Sequence, residues 1–253
     1  MDSTKRFSDR VQDYIRYRPE YPAKVISYLQ ERNLLLPGDA VADLGSGTGK
    51  SSIIFLQKGI KTFGIEPNEA MRFAAEDLLS SFSHFESIDG TAEQTTLPDH
   101  SIKLAVAGQA FHWFDIPKAR REVQRILQPN GYALLLYNIR ADDASGFMKD
   151  YHQFLLDYST DYRLINKRKV DPIAYQAFFG HAHYESAQFP NQQVFDLEGL
   201  KGRYFSCSYA LPDNHPNFVE ALEKLEVLFD QYQKNGQLEM IYRTEIFWGH
   251  LKD

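Results

Sequence analysis

The chain has 253 residues, of which 43% are hydrophobic and 25% charged, proportions typical of a single globular α/β domain. It lacks an apolar run near the roughly 20 residues that span a bilayer, and its first residues are polar, so we expect a soluble, cytoplasmic protein without a membrane partner. The net charge of −6 with dispersed basic residues argues against nucleic acid as a partner, and the single cysteine, Cys207, excludes an internal disulfide.

The first half of the chain alternates between helical and strand patterns. Apolar residues at helical spacing behind Pro22 predict a first helix. Later helices are expected to begin after Asn68 and after Asp115, the second ending at residues 129–131. Short apolar runs predict strands at 40–44, 61–65, 85–88, 102–107 and 132–139. Strands separated by helices of this length pair in parallel, so residues 35–140 are predicted to form a doubly wound α/β core.

The pattern changes after residue 140. Residues 147–180 are predicted to be helical and residues 191–235 to contain further helices, and the β-branched and aromatic residues at 240–248 predict a strand that returns to the sheet. We therefore predict one domain over residues 1–253: lid helices in 1–34, a cofactor-binding core in 35–140, a helical substrate cap in 141–235 and a final strand in 236–253.

A glycine-rich loop follows the first predicted strand and opens a helix. Its glycines, Gly45, Gly47 and Gly49, allow a ligand to approach backbone N–H groups at the positive end of the helix dipole. Glu66 ends the next strand, where an acid can accept hydrogen bonds from ribose hydroxyls. The loop and the acid together predict a nucleoside-binding site.

The glycine spacing distinguishes two cofactors. A dinucleotide fingerprint requires its third glycine at position 50, where this chain has Lys50, so a nicotinamide-dependent oxidoreductase is the weaker alternative. S-adenosylmethionine has no phosphate. Its amino-acid end needs N–H donors for the carboxylate and an acceptor such as Asp43 for the ammonium group.

Four segments in order carry a resemblance to a known family: 41–49 (VADLGSGTG), 64–71 (GIEPNEAM), 90–98 (GTAEQTTLP) and 109–115 (QAFHWFD). The chain resembles the class I S-adenosylmethionine-dependent methyltransferases of the type 11 group, most closely the branch that includes the trans-aconitate methyltransferases. The segments 14–22 and 242–244 extend the resemblance over nearly the whole chain. It implies a Rossmann-like fold with a doubly wound, mostly parallel seven-stranded sheet whose last strand is antiparallel.

The resemblance also implies which residues bind the cofactor. Those assigned to the methionine end are Asp43, Gly45, Ser46, Gly47, Thr48 and Gly49. Those assigned to the nucleoside are Glu66 for the ribose, with Pro67 beside it, and Met71, Thr91, Ala92 and Glu93 around the adenine. Gly108 and Gln109 are expected to lie beside the sulfonium group.

His112 is the predicted catalytic residue. A carboxylate acceptor is already ionised and needs only positioning, whereas a hydroxyl acceptor would profit from His112 as a general base. Substrate contacts are further predicted for Trp113, Tyr14, Tyr17 and Arg18, because aromatic faces favour a sulfonium cation and arginine pairs with a carboxylate. For all five residues, plain packing is the alternative.

These patterns predict an enzyme that transfers a methyl group from S-adenosylmethionine to a carboxylate or hydroxyl oxygen of a small molecule. A methyltransferase-like protein that binds the cofactor without turnover is a further alternative. No metal is expected, because His181, His183 and Glu185 lack a partner motif and alternate as in a strand.

Overall fold

The structure, a computed structural model, describes residues 11–164, 171–180 and 184–251. Its strands are β1 (Ala40–Leu44), β2 (Lys61–Ile65), β3 (Phe85–Ile88), β4 (Ile102–Gly108), β5 (Leu127–Arg140), β6 (Glu185–Phe195) and β7 (Leu238–Gly249). Its helices are α1 (Val11–Tyr17), α2 (Lys24–Glu31), α3 (Ser52–Leu56), α4 (Glu69–Leu78), α5 (Ile116–Ile126), α6 (Gly146–Asp157), α7 (Pro172–Phe179), α8 (Leu197–Phe205) and α9 (Phe218–Tyr232). None of these helices is long and apolar enough to cross a membrane.

The strands form one seven-stranded sheet in the order β3-β2-β1-β4-β5-β7-β6. β1 to β5 pair in parallel, and β7 is antiparallel to both β5 and β6. This confirms the predicted doubly wound, mostly parallel sheet with an antiparallel last strand. The strand order reverses between β1 and β4, and α/β proteins bind ligands in the crevice at such a switch point.

Both faces of the sheet are covered, as β4 illustrates. Leu104 and Val106 pack into an apolar cluster with α2 and α3, whereas Ala105 and Ala107 pack into another with α5 and α7. All four side chains are buried. A strand buried on both faces has no polar side, which explains why the core strands are visible in the sequence as continuous apolar runs.

The predicted start of α4 is confirmed, because Asn68 Oδ1 accepts a hydrogen bond from the backbone N–H of Met71 at 3.0 Å. Asp115 caps α5 in the same way. The predicted end of α5 at residues 129–131 is wrong: the helix ends at Ile126 and β5 begins at once. Residues 128–131 form a bulge in β5, which gives Pro129 a place where no ladder N–H is required.

The helices predicted within residues 191–235 are present as α8 and α9, but the region predicted as a helical cap, 141–235, also contains a strand. Glu185–Phe195 forms β6, which pairs along its length with β7 and is the edge of the sheet. Its side chains are exposed or half-buried except at Phe195, so no apolar run marks it. Pro190 fits an edge strand because it has no N–H to donate.

The two N-terminal helices have different surroundings. In α2 the side chains of Val25, Ile26 and Leu29 are completely buried against the sheet, so the prediction that it belongs to a lid is wrong. α1 has no buried residue and packs on α8. In the described part of the chain, only α1 and the segment that joins it to α2 remain candidates for the predicted lid.

The C-terminal helices have an apolar cluster of their own. Side chains from α6, α8 and α9, including Tyr151, Leu200 and Leu225, pack with Met240 and Tyr242 from the first half of β7. Because β7 is antiparallel, its first half lies at the carboxyl ends of the parallel strands; Tyr242 pairs with Arg140, the last residue of β5. This cluster, the C-terminal cap, therefore stands beside the switch point.

Gly202 is the point at which α1 contacts the C-terminal cap. A Cβ atom at this position would lie 2.1 Å from Cε2 of Tyr17. Gly202→Ala is therefore expected to displace α1 and to lower the free energy of unfolding by about 1–3 kcal/mol, as overpacking does. Urea unfolding measures this, with Glu198→Ala on the exposed side of α8 as the control; equal stability of both variants would contradict the contact.

Candidate functional site

A cavity of about 220 Å³ opens at the carboxyl ends of β1, β2 and β4. We call it the core cavity. The predicted site residues that line it are Tyr14, Arg18, Gly45, Gly47, Glu66, Pro67, Met71, Thr91, Ala92, Glu93, Gly108, Gln109, His112 and Trp113. The fold thus brings together residues from the N-terminal segment, the glycine loop and three successive strand ends.

The glycine loop adopts backbone angles that only glycine takes without strain. Gly45 and Gly47 have φ of +66° and +56°, and a Cβ at Gly45 would lie 2.8 Å from Cβ of Ala110. The backbone N–H groups of Gly45 and Ser46 donate to the carbonyl of Ile65 at 2.8 and 3.1 Å. Because these two amides already donate within the protein, the predicted contacts of Gly45 and Ser46 with the cofactor stay predictions.

Glu66 connects the glycine loop to α4. Its Oε2 accepts a hydrogen bond from the N–H of Gly47 at 2.9 Å, and its Oε1 accepts one from the N–H of Asn68 at 2.8 Å. Burial raises the pKa of this carboxyl, although the two backbone hydrogen bonds oppose the rise. A carboxylate has about four acceptor positions, so Glu66 can accept further bonds from a ligand in the cavity.

Asp43 lies beneath the loop and does not line the core cavity. It is fully buried, and its Oδ2 accepts hydrogen bonds from the hydroxyls of Ser51 and Ser52, both at 2.7 Å. Its Oδ1 has no hydrogen-bond partner among the described residues. Burial raises the pKa of Asp43 to about 6, against the two hydroxyl donors. A buried acceptor of this kind favours a cationic ligand group, which would satisfy it.

Four other predicted residues also do not line the core cavity: Ser46, Thr48, Gly49 and Tyr17. The third glycine of the loop serves packing, because a Cβ at Gly49 would lie 2.5 Å from Cδ1 of Leu79. Tyr17 packs against Gly202, so its predicted substrate contact is not supported by its position. The roles of Ser46 and Thr48 stay predictions.

The side of the cavity assigned to the adenine is a short, closed turn. Thr91 and Gln94 exchange two backbone hydrogen bonds, each of 3.1 Å. Glu93 accepts a hydrogen bond from the N–H of Asp115 at 2.8 Å, which fixes the turn to the start of α5. Ala92 and Met71 provide buried apolar surface for a flat ring.

The side assigned to the reacting group lies after β4. Gln109 has φ of +58°, a strained value for a residue with a side chain, and such strain is common at functional sites. Its Nε2 donates to the carbonyl of Asn138 at 2.8 Å. His112 and Trp113 lie on a short 3₁₀ helix, with their ring centroids 4.7 Å apart.

Five lining residues were not among the predicted site residues: Asn68, Ala110, Phe114, Ser208 and Tyr209. Asn68 and Phe114 are next to predicted motifs, so proximity in sequence could have identified them. Ser208 and Tyr209 follow α8, far along the chain, and no local signal marks them. Within the described ranges no group of acidic, histidine or cysteine residues could hold a metal; His181 and His183 lie outside those ranges.

Comparison with known sequences gives matches over the core and over most of the chain. The family model described as a methyltransferase domain matches residues 42–135. An uncharacterized methyltransferase-like protein of Schizosaccharomyces pombe is 28% identical over 249 residues, covering 96% of this chain and 94% of the relative. An uncharacterized methyltransferase of Mycobacterium tuberculosis is 33% identical over 151 residues, covering 59% of this chain and 58% of the relative.

Comparison with solved structures shows the fold. A putative type II methyltransferase from Anaeromyxobacter dehalogenans has a TM-score of 0.60 at 17% identity, covering 93% of this chain and 98% of that one. A putative methyltransferase from an antibiotic biosynthesis pathway of Anabaena variabilis has a TM-score of 0.59 at 20% identity, covering 91% and 98%.

Replacement of Asp43 tests its buried charge. Because burial raises its pKa to about 6, against 3.8 for a free side chain, protonation stabilises the folded protein. That stabilisation is complete below pH 4 and is lost as the pH rises through 6. Asp43→Asn cannot ionise, so it is expected to be more stable than the wild type by about 1–3 kcal/mol at pH 7 and nearly equal at pH 4.

Urea unfolding at both pH values measures this difference. Asp213→Asn, at an exposed position, is the control and should follow the wild type at both. If the stability difference between Asp43→Asn and the wild type did not change with pH, the proposed burial of the charge would be contradicted.

Proposed function

We propose that this chain, which carries a methyltransferase domain of the class I fold, transfers a methyl group from S-adenosylmethionine to a carboxylate or hydroxyl oxygen of a small molecule. The observation that carries the proposal is the core cavity, lined by Glu66 directly after β2; Asp43, near the end of β1, lies buried beneath the glycine loop and does not line it. The acidic net charge supports a small molecule over nucleic acid. Similarity to the trans-aconitate methyltransferase branch is part of the proposal.

The residues present fit this cofactor. Glu66 has acceptor positions left for ribose hydroxyls, and Asp43 has a buried oxygen without a partner among the described residues, suited to an ammonium group. Met71 and Ala92 offer apolar surface to the adenine. When bound, S-adenosylmethionine supplies a methyl group already activated by its positively charged sulfur.

Since the donor is activated, the task left to the protein is alignment and the exclusion of water. Gln109 is held in place by two hydrogen bonds, one from its N–H to the carbonyl of Leu136 at 2.9 Å and one from its side chain to Asn138. Gln109 and His112 both line the core cavity. Tyr14, from the N-terminal segment, and Tyr209, from the turn after α8, line it as well.

His112 is the proposed base for a hydroxyl acceptor. His112 lines the core cavity, as Gln109 does, and an imidazole can take the proton that the acceptor oxygen loses. A carboxylate acceptor loses no proton and would use the histidine only for positioning. The two acceptor types therefore predict different effects of the same substitution.

A nicotinamide-dependent oxidoreductase is disfavoured by the position of Gly49. In a dinucleotide-binding loop the third glycine permits close packing of the helix on the strand. That glycine would stand at position 50, where this chain has Lys50. Here Gly49 accommodates Leu79 instead.

A screen with isotope-labelled cofactor tests the proposed function. The protein is incubated with S-adenosylmethionine deuterated in its methyl group and a metabolite extract, and mass spectrometry identifies molecules that gain the labelled methyl. A product that requires both protein and cofactor is expected. Calorimetric binding of S-adenosylhomocysteine without any product would favour the binding protein without turnover, and absence of binding would contradict both.

Glu66→Ala is expected to weaken binding of S-adenosylhomocysteine by about 1–3 kcal/mol, because hydrogen bonds to a charged acceptor are lost. Calorimetric titration measures the change. Glu76→Ala, on the exposed face of α4, removes the same charge outside the cavity and serves as the control. Wild-type affinity in Glu66→Ala would contradict the ribose assignment.

His112→Ala separates proton transfer from packing. If the acceptor is a hydroxyl, the variant should bind S-adenosylhomocysteine normally while turnover falls by about 10²–10⁴-fold. The measurement combines calorimetry with initial rates on the product found in the screen. His215→Ala, on the loop before α9, is the control. Unchanged turnover on a hydroxyl acceptor would show that His112 only packs.

A further inference from the structure

A second cavity, of about 120 Å³, lies beside the core cavity. We call it the arginine cavity. The two share four lining residues: Tyr14, Arg18, Gln109 and Tyr209. Arg140 at the end of β5 and Arg203 on α8 line only the arginine cavity. It therefore extends from the reacting side of the proposed active site towards the C-terminal cap.

Arg140 is neutralised within the protein. Its Nε lies 2.7 Å from a carboxylate oxygen of Asp142, and a second nitrogen donates to the hydroxyl of Tyr162 at 2.6 Å. The guanidinium also stacks over the rings of Tyr151 and Tyr162. Arg140 thus needs no ligand to balance its charge.

Arg203 is buried and has only weakly acidic partners. It donates to the hydroxyl of Tyr242 at 3.0 Å, to Sγ of Cys207 at 3.0 Å and to Oγ of Ser206 at 3.4 Å. No carboxylate forms an ion pair with it in the described part of the chain. A guanidinium has five donors in a fixed fork that fits a carboxylate. The side chains around Arg203 therefore do not include the kind of partner that its guanidinium binds best.

Arg18 resembles Arg203 in this respect. Its Nε and Nη2 both donate to one backbone carbonyl, that of Ser206, at 3.2 and 2.7 Å, and its guanidinium lies over the ring of Tyr14. Among the residues described, no acid pairs with Arg18 either. Arg18 and Arg203 therefore converge on the Ser206–Cys207 turn from two different elements.

Cys207 offsets part of this charge. Burial opposes its ionisation, but Arg203 and then Arg18 outweigh burial and lower the pKa of the thiol to about 6. Even with Cys207 ionised, the guanidinium groups of Arg18, Arg140 and Arg203 face only two anions among the described residues, the thiolate and Asp142. Lys50, also at the wall of the cavity, has the nearby Glu20 as its own counter-charge. The arginine cavity keeps an excess of positive charge.

Buried and half-buried cations that outnumber their counter-ions destabilise a fold, so their presence at the wall of a cavity indicates an anionic ligand. We infer that the acceptor carries a carboxylate that Arg18 and Arg203 bind in the arginine cavity, and that this carboxylate is not the group that is methylated. The inference rests on the proposed function for the identity of the reaction, but the anion site itself rests only on the charges and contacts given above.

The bound carboxylate is not the methylated group because of how its charge would change during the reaction. Methylation of a carboxylate removes its negative charge, so guanidinium groups that hold it would stabilise the reactant more than the transition state and slow the transfer. A carboxylate that keeps its charge throughout is bound equally well before and after. The accepting oxygen is then a second group of the same molecule, placed beside Gln109 where the two cavities meet. The acceptor class is an organic acid with a second nucleophilic oxygen.

Binding of trifluoroacetate, followed by fluorine NMR line broadening, tests the anion site with and without saturating S-adenosylhomocysteine. The wild type should bind the probe, and Arg203→Met and Arg18→Met should each weaken it at least tenfold. Arg243→Met, a half-exposed arginine of β7, is the matched control and should bind as the wild type does. Acetate should displace the probe, whereas acetamide at the same concentration should not.

Equal binding in all four proteins, or none in the wild type, would overturn the inference. Stronger displacement by inorganic phosphate than by acetate would overturn the assignment to a carboxylate. Calorimetry with S-adenosylhomocysteine on the same proteins tests the proposed function separately. Binding of this ligand by Arg203→Met shows that the variant is folded. If the wild type binds trifluoroacetate but not S-adenosylhomocysteine, the proposed methyltransferase function is contradicted and the anion site is not.

A separate experiment tests whether the carboxylate bound in the arginine cavity is itself methylated. Acetate is incubated with the wild type and labelled S-adenosylmethionine, and base-labile label is measured as released methanol. The expected result is release no higher than in the Arg203→Met reaction. Release that exceeds it at least tenfold would show that a carboxylate in the arginine cavity is itself the acceptor, and would overturn this part of the inference.

Discussion

The site depends on the buried carboxylate of Glu66. Its two oxygens accept the backbone N–H groups of Gly47 and Asn68, so that one side chain joins the loop after β1 to the start of α4. Without it, the N–H groups of Gly47 and Asn68 would lose their partner, and the loop would be tied to the end of β2 through the N–H groups of Gly45 and Ser46, which donate to the carbonyl of Ile65. The two hydrogen bonds that Glu66 accepts thus hold both the loop that shapes the core cavity and the carboxylate itself in position.

The core and the C-terminal cap divide the proposed recognition between them. The core supplies the glycine loop, Glu66 and the turn around Ala92, which suit the cofactor. The cap supplies Arg203 and Tyr209, which lie where an acceptor would enter. A fold alone does not determine function, which depends on the residues of the site. The charge of the arginine cavity is therefore the feature most specific to the acceptor.

The core could be predicted from the sequence because its signals are local. Strands buried on both faces are apolar runs, and Asn68 and Asp115 cap the helices that follow them. The edge strand β6 has no such run, because one of its faces is exposed and the other, with Ala187 and Phe189, is only half-buried. Long-range contacts also escaped prediction: the loop amides donate to Ile65 on the neighbouring strand, and Arg203 reaches the site only through packing of the cap.

A crystal structure with S-adenosylhomocysteine tests the role of Glu66. We expect the ligand in the core cavity, with its ribose hydroxyls within hydrogen-bond distance of the Glu66 carboxylate and its adenine against Met71 and Ala92. A ligand bound elsewhere, with Glu66 still bonded only to the N–H groups of Gly47 and Asn68, would contradict it.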